Sequence, residues 1–198
     1  MRRGLDIVRM VAERLCYRAR TYAIFRDDPN GQRGALDAAI QSYDAARPPP
    51  ADVASLFRRH AGRWGALVML GRLRRAGAIL LVQTDGAELV AYGWLQPWHC
   101  VRREFGFLSH EGVCLGPYWT NPAWRGRGVY GRMLGHSLAM CRERFGETPL
   151  YIWARSENVA SVRGIERAGF APVGTFRVVT ALAGLVRYHV RCASTAGA

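Results

Sequence analysis

Lysine is absent from this chain: all 28 of its Lys+Arg positions are arginine, set against 15 acidic residues. A surface selected for positive charge alone mixes the two basic residues, so arginine-only usage beside abundant Ala and Gly points to a codon bias. The net charge of +13 is accordingly weaker evidence for nucleic acid than its size suggests, although it attracts anions of any kind. The arginines are scattered and no single-strand-binding aromatic motif accompanies them, which counts against nucleic acid as the partner. Long apolar runs are missing too: none approaches the roughly eighteen residues of a membrane span, and no cleavable leader is evident. Five cysteines (Cys16, Cys100, Cys114, Cys141, Cys192) are dispersed, odd in number and without C-x-x-C spacing. That pattern suggests neither a disulfide framework nor a zinc site and implies a reducing, cytoplasmic setting. The five histidines show no H-E-x-x-H or other ligand spacing, so no metal is expected.

What is present suits one domain with a proper core at 198 residues. Arg2 and Arg3 precede Leu5, Val8, Val11, Ala12 and Leu15 at helical spacing. This predicts a helix packed on its own domain or on a partner subunit, with a peripheral membrane contact through residues 1–15 as the lesser alternative. Residues 17–26 alternate as a strand, and a second strand falls within 36–43. Residues 1–47 thus form an amphipathic helix and a strand pair, part of or packed on a main domain at 48–193, with a disordered tail at 194–198. The main domain opens at Pro48-Pro49-Pro50, continues with helices near 52–60 and 64–75, and turns at Thr84-Asp85-Gly86 between strands at 78–83 and 88–95. Residues 96–107 read as a polar, aromatic loop. A strand at 113–120, a helix at 128–144, a buried strand at 150–154 and a helix at 158–168 follow, and a hairpin of 170–181 and 185–192 closes the chain near Gly184. The order is that of a mixed α/β (α+β) fold: a central, mostly antiparallel twisted sheet with one β-α-β core and flanking helices. Its edge strands and amphipathic start leave a homodimer open.

The strongest chemical signal lies in residues 113–131, VCLGPYWTNPAWRGRGVYG. An apolar run turns at Asn121-Pro122 and passes through Arg125-Gly126-Arg127-Gly128 into a helical pattern. A helix N-terminus leaves amide N–H groups without intrahelical partners and carries partial positive charge, and glycine lets a phosphate approach the backbone. Gly126 to Gly131 fits the dinucleotide pattern G-x-G-x-x-G. In that unit, however, the first glycine follows its strand directly and an acid closes the next strand about 20 positions on. Here 121–125 intervene, Glu147 falls before the next strand, and too little chain remains for further β-α units.

The same residues also fit, from Arg125 through Gly128, the first part of R-x-x-G-x-G/A, the pyrophosphate loop of acyl-CoA-dependent N-acetyltransferases. Thirty residues on, Asn158, Ser161, Glu166, Arg167, Gly169 and Phe170 in ENVASVRGIERAGF are similar to that superfamily's N-x-x-A/S…E-K-x-G-F helix. With both motifs in register and a strand between them, the segment 52–190 resembles the GNAT superfamily. The resemblance implies a GNAT-like fold, acetyl-CoA or another acyl-CoA as co-substrate, and transfer of the acyl group to an amine of a small molecule. It implies that the backbone of Tyr118, Trp119 and Thr120 pairs with the pantetheine arm as if it were another strand. The amides of Arg125, Gly126, Arg127, Gly128, Val129 and Tyr130 would hold the pyrophosphate. Asn158 would bond the pantetheine chain or the polypeptide beside it, and its chemistry equally suits a helix N-cap. Two departures stand out. Tyr130 occupies the third small position of the loop, and Ile165 occupies the place, seven after Asn158, where many relatives carry a general-acid tyrosine; an aliphatic side chain donates no proton.

The chemistry itself sets further expectations. An alkylamine with a pKa of about 10 must lose a proton before it attacks a thioester. Glu111 is the first candidate for the base, with His110 and Glu104 beside it; regular strand geometry would send His110 and Glu111 to opposite faces. Of the aromatic residues near the site (Trp94, Trp98, Tyr118, Trp119, Trp124), Trp98 in its loop is the best candidate for an acceptor floor. With Arg102, Arg103 and Glu104 nearby it would suit a polar ring such as an amino sugar bound to a nucleotide. A catalytically silent acyl-CoA binder and a basic RNA- or ribosome-associated binder are the alternative readings.

Overall fold

The computed structural model describes residues 17–28, 31, 34–105, 111–181 and 186–192. In chain order the elements are β1 (Tyr17–Asp27), β2 (Ile40–Tyr43), α1 (Ala51–Leu70), β3 (Ile79–Asp85), β4 (Glu88–Pro97) and α2 (Trp98–Phe105). There follow β5 (Val113–Leu115), β6 (Trp119–Thr120), α3 (Val129–Phe145), β7 (Leu150–Arg155), α4 (Val159–Arg167), β8 (Phe170–Ala181) and β9 (Val186–Cys192). Short 3-10 turns stand at Gly71–Arg74 and Pro122–Trp124.

The strands form one nine-stranded sheet ordered β2-β3-β4-β5-β7-β1-β8-β9, with β6 also paired to β4. Every pairing is antiparallel except β5 with β7, which α3 joins as the crossover of a β-α-β unit. Helices on both faces explain why β3 reads Ile-Leu-Leu-Val without alternation: Ile79, Leu80, Leu81 and Val82 are all buried. On one face Ile79, Leu81, Val113, Leu115, Leu150 and Ile152 pack with Met133, Leu134 and Leu138 of α3 and Ile165 of α4. On the other, Leu80, Val82, Tyr92 and Trp94 pack under α1. Cys114 and Tyr151, one residue out of phase with the first set, pack under Trp98 and Val101 of α2.

β1 lies inside the sheet, between β7 and β8, so residues 17–27 are an integral part of it. Asp27 at its end is buried; its carboxylate accepts from the Leu150 amide at 2.8 Å and pairs with Arg142 of α3, which ties β1, β7 and α3 together. The two helices expected over 52–75 are both present within 51–70, parted by a kink at Gly62 (φ 71°, ψ 173°) and followed by the 3-10 turn.

Two expectations are corrected. Residues 98–105 are helical, not a loop, because Trp98 and Val101, three apart, supply an apolar stripe that docks on Tyr151 and Cys114. Trp98 is only 4% exposed with its ring 5.2 Å from that of Tyr151, so it is core and cannot floor an open site. The strand expected over 113–120 is broken in two, and that break makes the site. The predicted N-terminal helix, His110, the hairpin connection near Gly184 and the tail at 194–198 lie outside the described residues.

Candidate functional site

From Leu115 to Trp119 the chain advances four residues while its partner β4 advances three, from Leu95 to Tyr92. This one-residue excess is a β-bulge, and it contains the cis Gly116–Pro117 peptide. Up to Leu115 the strand also pairs with β7, at Ile152. Beyond the bulge β6 stays with β4 while β7 continues alone beside β1, so the sheet splits between 118–120 and 153–155. The Asn121 amide bonds Val90 of β4 at 2.9 Å; by antiparallel alternation the N–H and C=O of Thr120 then face away from β4, into the split.

A cavity of about 1190 Å³ fills this split and runs past it. One wall is Leu115, Gly116, Pro117, Tyr118, Trp119 and Thr120; the opposite wall is Ile152, Trp153, Ala154 and Arg155. At one end the cavity meets Arg125, Gly126, Gly128, Val129, Tyr130 and Gly131 at the start of α3, with Asn158 and Ser161 of the α4 entrance across from them. Gly126 (φ 76°) and Gly128 (φ 74°) are both in the left-handed region, which any residue with a Cβ disfavours. Gly128 is the N-cap of α3 and supplies no side chain to cap it; the first intrahelical bond is Arg132 N–H to Gly128 C=O at 3.1 Å. The amides of Val129, Tyr130 and Gly131 therefore have no intrahelical acceptor and stand at the positive end of the helix.

The loop leading there is fixed from behind. Asn121 Nδ2 donates to Glu88 Oε1 at 2.7 Å, Trp124 Nε1 donates to Glu88 Oε2 at 3.2 Å, and Asn121 Oδ1 accepts from the Ala123 amide at 3.1 Å. Nothing in the sequence pattern marked Glu88 for this role, since it acts on residues more than 30 positions away. Arg127 does not line the cavity; its guanidinium lies 5.2 Å from the Trp124 ring centroid, outside.

Tyr130 does not obstruct the loop, because its ring turns to α4. A Cβ built on Gly164 would sit 2.8 Å from it, and the Tyr118 ring meets it edge-on at 5.8 Å. Gly164 is thus the space that a large residue at position 130 requires. The Tyr118 hydroxyl donates to Ser137 Oγ at 2.7 Å, and its ring covers Gly93, where a Cβ would lie 2.2 Å away. Burial raises the pKa of both tyrosines, so both are protonated at neutral pH. Asn158 is the N-cap of α4, accepting from the Ser161 amide at 3.3 Å, and it also lines the cavity. Ile165 is fully buried.

At the other end the cavity passes through the sheet to the α1/α2 face. There it meets Tyr22, Arg72, Arg75, Gln96 and Val101, residues that sequence reasoning did not single out. Gln96 Nε2 donates to Gly116 C=O at 2.8 Å, and Arg75 Nη1 donates to Gln96 Oε1 at 3.4 Å and to Cys100 C=O at 3.2 Å. A polar residue interrupting the apolar run of β4 was the one available signal, at Gln96. Glu111 is exposed, lies outside the cavity lining and stands five residues before Gly116, roughly 15 Å along an extended chain. Among the described residues that line the cavity there is no Asp, Glu or His.

Residues 37–170 match the family model for the acetyltransferase (GNAT) family, and the chain belongs to that family. No curated protein sequence matches it. Among solved structures it is similar to an acetyltransferase of the GNAT family from Colwellia psychrerythraea, with a TM-score of 0.57 and 14% identity over 93% of this chain and 62% of that one. It is similar also to a GCN5-related N-acetyltransferase from Sphaerobacter thermophilus (TM-score 0.51, 18% identity, 94% and 57%). A third is an acyl-CoA N-acyltransferase from Pseudomonas aeruginosa (TM-score 0.51, 18% identity, 80% and 100%). At these identities the likeness is one of fold. The chain spans less than two thirds of the length of the first two proteins.

The residues present fit the acyl-CoA that the family uses. An extended pantetheine arm requires unpaired strand backbone, which the split offers at the Thr120 N–H; the Thr120 C=O already accepts from Arg125 Nε at 3.3 Å. A diphosphate requires converging amides with no Cβ in the way, which the start of α3 offers behind Gly126 and Gly128.

Proposed function

We propose that this chain is an N-acyltransferase that moves an acetyl or other acyl group from CoA to the primary amine of a small molecule. The observation that carries this reading is the continuity of one cavity from the uncapped start of α3, through the split between β6 and β7, to the opposite face of the sheet. Backbone of Tyr118 to Thr120 pairs with the pantetheine arm, and the amides of Gly126, Gly128, Val129 and Tyr130 grip the diphosphate, the Arg125 amide being held by Pro122 C=O. Asn158 caps α4 with its Oδ1 and keeps its Nδ2 for the arm. Bound there, the thioester supplies an electrophilic carbonyl: the C–N bond forms, the C–S bond breaks, and the proton lost by the amine is matched by the one the thiolate takes up.

Among the described residues the titratable lining is Tyr22, Tyr118 and Tyr130 with Arg72, Arg75, Arg125, Arg155 and Arg167. Neighbouring cations disfavour an ammonium, so they lower the pKa of an acceptor amine and make the neutral nucleophile available without a carboxylate in contact. Water then takes the proton; Glu111 could take part only through a chain of waters. Tyr118 and Tyr130, with pKa values raised by burial, are poor acids toward a thiolate of pKa about 8.5, which leaves as the anion and is protonated by solvent. The acceptor amine on this reading includes the amino sugars, free or nucleotide-linked.

The lack of a carboxylate or histidine among the described lining residues favours a second reading, a catalytically silent acyl-CoA binder. Native mass spectrometry of the freshly purified chain, followed by an amine panel with acetyl-CoA, separates the two. A retained CoA species with acetylated product supports the transferase. Retention with no product on any amine supports the silent binder, and no retention removes both.

A further inference from the structure

We infer that the acceptor carries an anionic group, a carboxylate or a phosphate, held by Arg75 on the α1/α2 face of the cleft; this rests on the transferase reading. The two ends of the cavity lie on opposite faces of the sheet. The start of α3 belongs to the face where Val113, Leu115 and Ile152 pack, whereas Leu73, between the two arginines, packs with Trp94 and Phe57 under α1. The Arg72 and Arg75 end is therefore separated by the sheet from the amides assigned to the diphosphate, and its cations are not needed there.

Arg75 is held in place by neutral partners. Its Nη1 donates to Gln96 Oε1 and to the Cys100 carbonyl, contacts that orient the guanidinium without cancelling its charge. Arg72 lies on the preceding 3-10 turn, three residues away, which puts both side chains on one side of that turn. Its guanidinium sits 5.8 Å from the Trp94 ring centroid. Arg155 faces the same side of the sheet, opposite Tyr22 in the β1/β7 register. Arg75 and Arg155, lining an opening whose described residues include no carboxylate, make a poor site for a polycation and a good one for an amine whose far end is negative. An amino acid, an aminoalkyl phosphate and a nucleotide-linked amino sugar share that chemistry.

The test uses the full chain with acetyl-CoA and matched acceptors: 4-aminobutyrate, 3-aminopropyl phosphate, butylamine, 1,4-diaminobutane, and glucosamine against its uridine-diphosphate-linked form. At least one anionic acceptor is expected to exceed its neutral counterpart in kcat/KM by about tenfold or more, the worth of one charge-assisted hydrogen bond, with the diamine lowest. The arm that responds (carboxylate, phosphate or nucleotide sugar) identifies the source of the charge. Arg75→Gln should remove that advantage while the KM for acetyl-CoA stays within about twofold, and Arg75→Lys should restore part of it. Equal or better turnover of butylamine or 1,4-diaminobutane overturns the inference and leaves the transferase reading intact. So does an Arg75→Gln effect as large on acetyl-CoA as on the acceptor. No turnover of any amine by the acetyl-CoA-loaded chain overturns the transferase reading, and this inference with it.

Discussion

The two ends of the cleft are made of different material. The α3 end is largely backbone: amides of Val129, Tyr130 and Gly131, two left-handed glycines, and a strand edge at Thr120, with Arg127 turned out and Tyr130 aside, and with Arg125 and Asn158 beside them. The α1/α2 end is side chain: arginines from the turn after α1, a glutamine from β4 and a tyrosine from β1. A backbone site depends on φ and ψ and so constrains sequence strongly, through glycine and through one loop length. A side-chain site assembled from three distant segments constrains each segment weakly. The first kind can be shared by proteins that use the same co-substrate, and the second can differ between them.

The comparison can be broken most directly at Gly128. Gly128→Val cannot hold φ 74° without a cost of about 2 kcal/mol, so the loop relaxes away from it; acetyl-CoA binding, which needs the original conformation, is expected to weaken ~30-fold with a much smaller fall in Tm. Calorimetry beside a thermal scan reads both, and equal losses would make the glycine merely structural. Next in size is Gly164→Ala, whose new Cβ meets the Tyr130 ring at 2.8 Å. Overpacking of this kind costs about 1–3 kcal/mol, and Tyr130→Ala in the same chain should recover most of it in a double-mutant cycle.

A smaller effect concerns the seat of α3. His136 is buried with its Nδ1 accepting from the Asp37 amide at 3.0 Å, and burial lowers its pKa against the opposing pull of Asp37 and Glu143. The unfolded chain then takes up a proton more readily than the folded one, so stability is full above about pH 6.5 and falls as acid is added below it. His136→Asn, which keeps an acceptor for that amide, should flatten this fall in Tm between neutral and acidic buffer. The smallest expected effect is at Glu111. Glu111→Gln should leave the pH–rate profile unchanged, because the carboxylate lies outside the cleft; a shifted limb would return it to the mechanism.

How much of this was legible follows the same division. The strands, the β-α-β unit and both motif helices could be read because periodicity and glycine act locally, within a few residues. The loop at 125–130 was legible for that reason, and so was Asn158, whose cap spans three residues. The helix at 98–105 was misread because its apolar stripe is only Trp98 and Val101, and its charged face resembles a loop until Tyr151 and Cys114 are brought beneath it. The bulge was invisible: that the strand from Val113 to Thr120 parts from β7 after Leu115 is a statement about two partners with different registers.

By itself the sequence determined the backbone end of the cleft, since a glycine in the left-handed region and an uncapped helix start are consequences of neighbours along the chain. Only the tertiary structure decided the α1/α2 end. Arg75, Gln96 and Tyr22 are far apart in sequence, and nothing local to any of them says that the sheet opens between them; their juxtaposition exists only because β4, β6 and β7 pair in the registers they do.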